Sequence, residues 1–233
     1  MPGNDQREQV LAAFDGLRVA DVRDGMDTMG FHRVGSMSPE IRPLWRTRAF
    51  GVARTARYTQ YDGPMPTKTG DDYAEWVSWY YREVCPYPWM AYIEPGDFIV
   101  IDQSGIDAGL MGSNNTLDGV RRGAKGYVSN GGVRDTDEVI LQKVPFWSAF
   151  VSQSMVQGRL RFDAKDVPVS VGGVTVHPGD VVVADGDGVI VVPRAAALDV
   201  AKYAGAILKS DKAGRRKHYE ALGMELDETV REE

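Results

Sequence analysis

The pattern of apolar and polar positions predicts helices at both ends of the chain. Near the N-terminus, apolar residues recur at helical spacing over residues 6–17: Val10, Leu11, Phe14 and Leu17. A second short helix is predicted in "RDGMDTMG" (23–30), where Asp24 is placed to cap its start and Gly30 to end it. Helical spacing returns from Ala195 to about Leu222. The middle of the chain must therefore supply any sheet.

The middle of the chain is rich in short β-branched runs bounded by glycine. Alternation in "FGVARTARYT" (50–59) predicts a strand, and "PGDFIVID" (95–102) predicts a buried strand. The second run has an echo in "PGDVVVAD" (178–185), so each copy has a Pro-Gly turn followed by an apolar run between two aspartates. Further short strands are expected in "KGYVSN", "VPVSVGGVTV" and "GDGVIVVP". Together these elements predict an α/β fold with a sheet core flanked by helices.

An aromatic insert over residues 61–89 holds three of the five tryptophans. After "TGDD", which is typical of a helix start, Tyr73, Trp76 and Tyr80 fall on one helical face. Two interpretations stay open. The helix packs on the core or on a neighbouring subunit, or it forms a lid that shapes a substrate pocket.

Length, composition and charge narrow the possible functions. With 233 residues, 43% of them hydrophobic, the chain can form one domain over residues 1–233. The net charge of −6 arises from interspersed acids and bases, which disfavours direct nucleic-acid binding. No membrane span or signal peptide is expected, and we predict a cytoplasmic protein. The single Cys85 and three separated histidines disfavour a zinc site made of these residues.

The candidate chemistry lies between residues 105 and 139. Three glycines, Gly105, Gly109 and Gly112, precede "SNNTLDGVRR", in which helical character is predicted from Thr116 onward. A glycine-rich loop that leads into a helix exposes backbone N–H groups, which favours anion binding. One strand later, in "YVSNGGVRDTDEV" (127–139), Arg134 and Asp135 follow each other at a strand end.

Arg134 and Asp135 can serve one site because a strand end lets adjacent side chains converge. Arginine offers a planar fork for a carboxylate, and aspartate offers a hard oxygen ligand for Mg²⁺ or Mn²⁺. This pair could hold a 2-oxo acid. The alternative from these residues alone is that Asp135 caps a helix while Arg134 is solvated.

In order along the chain, these motifs resemble the family of class II 4-hydroxy-4-methyl-2-oxoglutarate aldolases and ribonuclease-activity regulator A proteins. The resemblance begins at "DGMDTMG" and runs through "MSPEIRPL", "PGDFIVID" and "GLMGSNNTLDGVRRGAKGYVSNGGVRDTDEV" to "VPVSVGGVTVHPGDVVVADGDGVIVVP". It covers most of the chain apart from the aromatic insert. Members have also been labelled demethylmenaquinone methyltransferases, an activity that this sequence does not support.

The resemblance implies a compact, swivelling-domain-like α/β fold assembled as a homotrimer or hexamer, with sites between subunits. It implies that Arg134 binds the pyruvyl group, that Asp135 ligates a divalent metal, Mg²⁺ or Mn²⁺, and that the Gly112–Asn115 loop offers amides to the substrate carboxylate. Gly112, Ser113, Asn114, Asn115 and Arg134 are thus the expected substrate-binding residues. In two places the chain departs from the family pattern. The aldolases commonly have an acid near the position of Ser113, and the acid that a neighbouring subunit supplies has only a candidate here, Asp211.

The implied activity is metal-dependent retro-aldol cleavage of a 2-oxo acid to give pyruvate, decarboxylation of oxaloacetate, or both. A metal-linked water or hydroxide is the expected base. Two other interpretations remain: a non-catalytic binding protein that resembles the ribonuclease regulators, and a metal enzyme that acts on a sugar acid or another hydroxy acid. Metal-dependent pyruvate release separates the lyase from the binding protein, and a substrate panel separates the lyase from an enzyme for sugar acids or other hydroxy acids.

Overall fold

The helices at the two ends of the chain pack together on one side of a sheet. A computed structural model describes residues 4–67 and 69–231. Helices α1 (Asn4–Phe14), α2 (Val19–Thr28) and α6 (Ala197–Leu222) share a core with the final strands of the sheet. Gly30 follows α2 with φ +84°, a conformation that glycine adopts readily, so the predicted end of this helix is confirmed.

The predicted start of the second helix is wrong. Helix α2 begins at Val19 with Arg18 as its N-cap residue, and Asp24 lies inside the helix. The apolar residue Val22 belongs to the buried face, and it precedes the segment in which we expected the helix to start. The Arg18–Asp21 pair supplies the cap because the Asp21 carboxylate accepts the Arg18 backbone N–H.

Nine strands form one sheet within the described residues. The strands are β1 (Arg42–Pro43), β2 (Ala49–Gln60), β3 (Asp97–Asp102), β4 (Gly109–Met111), β5 (Gly126–Val133), β6 (Phe146–Val151), β7 (Leu160–Lys165), β10 (Val181–Asp185) and β11 (Gly188–Val192). The main order is β1-β6-β5-β3-β2-β10-β11; β4 pairs with β5, and β7 pairs with β2. A separate hairpin joins β8 (Val169–Val171) to β9 (Val174–Val176).

The centre of the sheet is parallel and buried. Strand β3 pairs in parallel with β2 and β5, and β5 also pairs in parallel with β4 and β6. Apolar packing covers both faces, which explains the unbroken apolar run of "DFIVID". The two Pro-Gly-Asp repeats become β3 and β10, which lie on either side of β2. The predicted α/β fold with flanking helices is confirmed.

The aromatic insert forms α3 (Asp71–Glu83) and a short 3₁₀ helix (Pro88–Tyr92), with Lys68 outside the described residues. Tyr73, Trp76 and Tyr80 share a face, as predicted, with ring centroids 5.6 and 5.0 Å apart along the row. The Tyr80 hydroxyl is buried and donates a hydrogen bond to the Leu160 carbonyl at 2.6 Å. The insert therefore packs on the core, as one of the two interpretations expected. The single-domain prediction for residues 1–233 extends beyond the described residues and stays a prediction.

Candidate functional site

The candidate site lies where two adjacent parallel strands end. Strand β4 ends at Met111 and β5 at Val133, and the Arg134 backbone N–H donates to the Met111 carbonyl at 3.0 Å. The segments that follow these strands are therefore held side by side at the carboxyl edge of the sheet. In open α/β folds this edge is the usual place for a ligand.

The helix that follows β4 begins earlier than its sequence pattern predicts. Helix α4 spans Ser113–Arg122, so Ser113, Asn114 and Asn115 form its first turn, and Gly112 is its N-cap residue. The prediction of a loop through Asn115 is therefore wrong, because the Thr116 side chain and backbone both bond to the Gly112 carbonyl and close the turn there. This earlier start of α4 favours anion binding. The first-turn N–H groups point out of the helix without intrahelical acceptors.

Arg134 and Asp135 converge, as predicted for a strand end. The Arg134 Nε donates to Asp135 Oδ1 at 3.1 Å, and both side chains are about one-third exposed, at 33% and 34%. Asp135 has φ 53° and ψ 42°, the left-handed conformation that aspartate tolerates better than most residues do. Such backbone conformations cluster at functional sites.

Asp135 occupies the N-cap position of α5 (Thr136–Leu141), but its side chain makes no capping hydrogen bond to that helix. Instead, its Oδ2 accepts the Ser113 backbone N–H at 3.2 Å, with the Ser113 hydroxyl at 3.5 Å. The carboxylate thus faces the positive end of α4. The simple capping interpretation does not account for this side-chain position.

Two glycines give these side chains the space that they occupy. A Cβ on Gly109 would lie 2.6 Å from Arg134 Cγ, and a Cβ on Gly112 would lie 2.3 Å from Asp135 Oδ2. The sequence pattern "GLMG" therefore has a steric reason that the sequence alone did not show.

The converging residues line a small cavity of about 160 Å³. Its walls come from α4, β4, the end of β5 and the insert: Tyr81, Gly109, Leu110, Gly112, Asn114, Asn115, Arg134 and Asp135. Five of the six predicted site residues line it. The sixth, Ser113, donates its backbone N–H to the Asp135 carboxylate. The roles predicted for these residues stay predictions.

Tyr81, Gly109 and Leu110 were not predicted as site residues. Tyr81 belongs to α3, so the insert that packs on the core also forms one wall of the cavity. Its position next to the buried Tyr80 could have indicated that the helix passes close to the sheet edge, but not which edge.

Asp135 is the one carboxylate among the residues that line this cavity. No group of three or more His, Cys, Asp and Glu side chains suited to a metal occurs in the described part of the chain. Mg²⁺ often takes only one or two protein carboxylates and completes its shell with water and substrate oxygens. Asp135 Oδ1 accepts one hydrogen bond, from Arg134, and keeps a lone pair, and the Asn114 and Asn115 side chains line the same space. The residues present fit a divalent ion that the substrate helps to hold.

The proposed contribution of Asp211 from a neighbouring subunit stays a prediction. Within the chain, Asp211 lies on α6 and its Oδ2 is 3.6 Å from Arg18 Nη2 and 3.5 Å from Arg215 Nη1.

Comparison with known proteins shows the family. The sequence model described as RraA-like, Aldolase/RraA, matches residues 19–191, which include every residue of the cavity. The chain belongs to this family.

Curated relatives match only part of the chain. A Deinococcus radiodurans protein named "Putative 4-hydroxy-4-methyl-2-oxoglutarate aldolase" is 38% identical over 98 residues, which cover 42% of this chain and 61% of that protein. A Halalkalibacterium halodurans protein of the same name is 33% identical over 130 residues, covering 52% of this chain and 58% of that protein. The matched region thus spans less than two thirds of either relative.

Two solved structures match over most of the chain. An uncharacterized protein from Pseudomonas syringae has a TM-score of 0.70 at 26% identity and covers 96% of this chain and 98% of its own. Streptomyces coelicolor RraAS2, described as an unusual member of the RNase ES inhibitor RraA family, has a TM-score of 0.70 at 25% identity and covers 92% of this chain and 97% of its own. No helix among the described residues has the length and apolar character needed to cross a membrane.

Proposed function

We propose that this protein is a divalent-metal-dependent lyase that acts on a 2-oxo acid. The reaction is retro-aldol cleavage that releases pyruvate, decarboxylation of oxaloacetate, or both. The observation that carries the proposal is the position of Arg134. Its Nε is engaged by Asp135, whereas its two terminal nitrogens have no hydrogen-bond partner among residues 4–67 and 69–231, and it lines the cavity. A guanidinium held in this way can offer its free edge to a second anion.

The substrate carboxylate fits between Arg134 and the first turn of α4. Arg134 supplies a charged fork, and the Asn114 and Asn115 backbone N–H groups lie at the positive end of the helix. Asp135 would hold the divalent ion, which, when bound, supplies a Lewis acid that draws negative charge toward the keto oxygen of the substrate. Arg134 and the N-terminal end of α4 are both in place before the reaction, so they need little rearrangement.

In the retro-aldol reaction, the C3–C4 bond breaks and its electron pair stays on the pyruvyl fragment as the enolate. The C4 hydroxyl loses its proton and becomes the carbonyl of the second product, and C3 then takes up a proton to give pyruvate. Decarboxylation of oxaloacetate passes through the same enolate, with CO₂ as the second product. Arg134 lies beside the forming charge in both reactions and stabilises it.

The test is pyruvate release from 4-hydroxy-4-methyl-2-oxoglutarate and from oxaloacetate. Protein stripped with EDTA should be inactive, and Mg²⁺ or Mn²⁺ should restore turnover. Free metal also decarboxylates oxaloacetate, so the matched blank contains the same metal concentration and no protein. Pyruvate release no faster than that blank on either substrate would refute the proposal.

A regulator-like binding protein is the second candidate, and one observation favours it. Ser113 stands where the aldolases commonly carry an acid, so Asp135 has no carboxylate beside it in the cavity. In that case the protein would bind a 2-oxo acid or a protein partner without metal-dependent turnover. A third outcome, turnover of a sugar acid or another hydroxy acid alone, would show up on a wider substrate panel.

We also propose that the protein forms a homotrimer or hexamer with the site near a subunit interface. Large apolar side chains are exposed on α4 and α5, the two helices that begin beside the site: Leu117 at 45%, Val120 at 37%, Ile140 at 38% and Leu141 at 81%. Such an exposed cluster is typical of a protein interface. Light scattering should give three or six chains, and a monomer at micromolar concentration would contradict the proposal.

A further inference from the structure

Strand β4 leads into the candidate site and is only three residues long. Each of the three is bonded to a different segment of the chain. Gly109 donates its N–H to a carbonyl of the loop after β6 at 2.9 Å, and the Met111 carbonyl accepts the Arg134 N–H at 3.0 Å. The Leu110 carbonyl accepts the hydroxyl of Tyr87, in the aromatic insert, at 2.8 Å. Tyr87 therefore supplies the one side-chain bond among these three.

The position of β4 sets both groups that are proposed to hold the substrate carboxylate. Gly109 lies directly against the stem of Arg134, since a Cβ on this glycine would lie 2.6 Å from Arg134 Cγ. Gly112, the residue after β4, is the N-cap residue of α4, and its carbonyl accepts the Thr116 N–H at 3.0 Å. A small shift of β4 would therefore redirect the guanidinium and the first-turn N–H groups of α4.

Tyr87 is suited to hold β4 because its own ring is fixed by aromatic neighbours. Its ring centroid lies 6.2 Å from that of Tyr58, 6.4 Å from that of Tyr81 and 6.3 Å from that of Trp89. The Trp89 Nε1 donates to the Tyr58 hydroxyl at 2.8 Å, and that hydroxyl donates to the Pro86 carbonyl at 2.9 Å. Burial raises the pKa of Tyr87 well above its ordinary value, so its hydroxyl stays protonated and remains a donor.

We propose that Tyr87 is a positioning residue for the proposed reaction. Its bond to the Leu110 carbonyl holds β4 in the place that aligns Arg134 and the first turn of α4 with the substrate carboxylate. The aromatic insert then acts on the reaction through β4. The inference rests on the proposed function for its effect on the substrate, whereas the hold of Tyr87 on β4 can be measured without any ligand.

The insert offers a matched pair of tyrosines for the test. Tyr87 donates its hydroxyl to the carbonyl of the buried Leu110 at 2.8 Å. Tyr80 donates its hydroxyl to the carbonyl of the buried Leu160 at 2.6 Å, and Leu160 belongs to β7 and not to β4. Tyr87→Phe and Tyr80→Phe each remove one hydroxyl and keep the ring. Both variants should lower the midpoint of urea unfolding, since each takes the phenol donor away from a buried carbonyl.

Hydrogen–deuterium exchange followed by mass spectrometry reports on β4 directly. In Tyr87→Phe, peptides that cover residues 109–116 should exchange about threefold to tenfold faster than in the parent, because one bond that holds β4 is lost. In Tyr80→Phe, the same peptides should exchange within about twofold of the parent rate, because the lost bond lies elsewhere.

Calorimetry in Mg²⁺ measures the consequence for the substrate, with pyruvate as the probe. The Kd of pyruvate should rise by about threefold to tenfold in Tyr87→Phe and stay within about twofold of the parent in Tyr80→Phe. The kcat/KM for metal-dependent pyruvate release should fall in Tyr87→Phe by at least the factor lost in binding, because Arg134 serves the transition state as well as the bound acid.

Unchanged exchange over residues 109–116 in Tyr87→Phe would overturn the inference and leave the proposed function standing. So would an equal rise in exchange, or an equal loss of pyruvate affinity, in Tyr80→Phe. Parent-like pyruvate affinity in a Tyr87→Phe protein whose β4 exchanges faster would also overturn it. If the parent itself neither binds pyruvate nor releases it from either substrate, then the proposed function fails, and the positioning role fails with it.

Discussion

Arginine and aspartate form ion pairs at both ends of the central parallel strands, and the two sites differ in burial. At the start of β3, Asp97 is fully buried; its Oδ1 lies 2.7 Å from Arg7 Nη2 and its Oδ2 lies 2.5 Å from Arg54 Nε. We call these three residues the buried cluster. At the end of β5, Arg134 and Asp135 are each about one-third exposed and lie 3.1 Å apart. We call them the open pair.

The difference between the buried cluster and the open pair lies in what each can still bind. Both Asp97 oxygens are taken by arginines, and Oδ2 also accepts the Glu94 backbone N–H at 2.9 Å. The open pair keeps two guanidinium nitrogens and a helix N-terminus directed into a cavity. Charged residues at a strand end therefore serve structure when they are buried against each other, and they are available for a ligand when one side stays open.

Replacing Asp135 should give the largest effect on function and only a small one on stability. Asp135→Ala removes the one carboxylate of the cavity, so Mg²⁺- or Mn²⁺-dependent pyruvate release should fall to the blank. The free energy of unfolding should fall by only about 1–2 kcal/mol, because a partly exposed pair contributes little and the main cost is alanine in the left-handed conformation of Asp135. Coupled pyruvate assays and urea unfolding measure the two quantities. Full activity that still requires metal would remove Asp135 from the site.

Replacing Asp97 should show the opposite pattern. Asp97→Ala leaves Arg7 and Arg54 buried without their shared partner, which should lower the free energy of unfolding by about 3–5 kcal/mol. Activity per folded molecule should stay near that of the parent, since the buried cluster lies at the other end of the strands. The control is Asp118→Ala, which breaks the surface pairs with Arg121 and Arg122 and should have little measurable effect. A stable Asp97→Ala protein would show that the cluster is not structural.

Arg134→Lys tests whether the open pair acts on substrate charge. Lysine keeps the positive charge but loses the planar fork, so turnover should fall by roughly one to three orders of magnitude while metal affinity is retained. Steady-state pyruvate formation and metal calorimetry, run in parallel, separate these effects. If the variant turns over like the parent, or loses metal binding and activity together, then Arg134 does not act on the substrate and only supports Asp135.

Local sequence patterns predicted the elements of the fold and the members of the open pair, because these depend on neighbours along the chain. The α/β fold, the strand over residues 50–59 and the aromatic face of the insert helix followed from spacing alone. The family motif then directed attention to Arg134, Asp135 and the Gly112–Asn115 segment. Their convergence on one cavity required only that β4 and β5 end side by side.

Features that depend on contacts distant in sequence could not be predicted. Asp97 looked like a residue that opens a strand, yet its partners Arg7 and Arg54 lie 90 and 43 positions away. The start of α2 was misplaced because the Asp21 carboxylate accepts the backbone N–H of Arg18 and supports an earlier start than the more usual capping residue Asp24 would give. Tyr81 was missed for the same reason as the buried cluster, because only the packing of α3 brings it to the sheet edge.

The glycines beside the buried cluster and the open pair offer the most specific test of the comparison, with the smallest expected effects. Gly96 precedes Asp97 with φ +90°, and a Cβ there would lie 2.5 Å from Leu11 Cδ1. Gly112 has φ −140°, which any residue adopts, and its added Cβ would meet the movable end of Asp135. Gly96→Ala should therefore lower the free energy of unfolding by about 1–2 kcal/mol and leave metal binding unchanged. Gly112→Ala should change stability by less than about 1 kcal/mol but displace the Asp135 carboxylate, weakening metal binding about tenfold. Urea unfolding and metal calorimetry on both variants decide the matter. If Gly112→Ala binds metal like the parent, then the position of Asp135 against Ser113 has no part in the site.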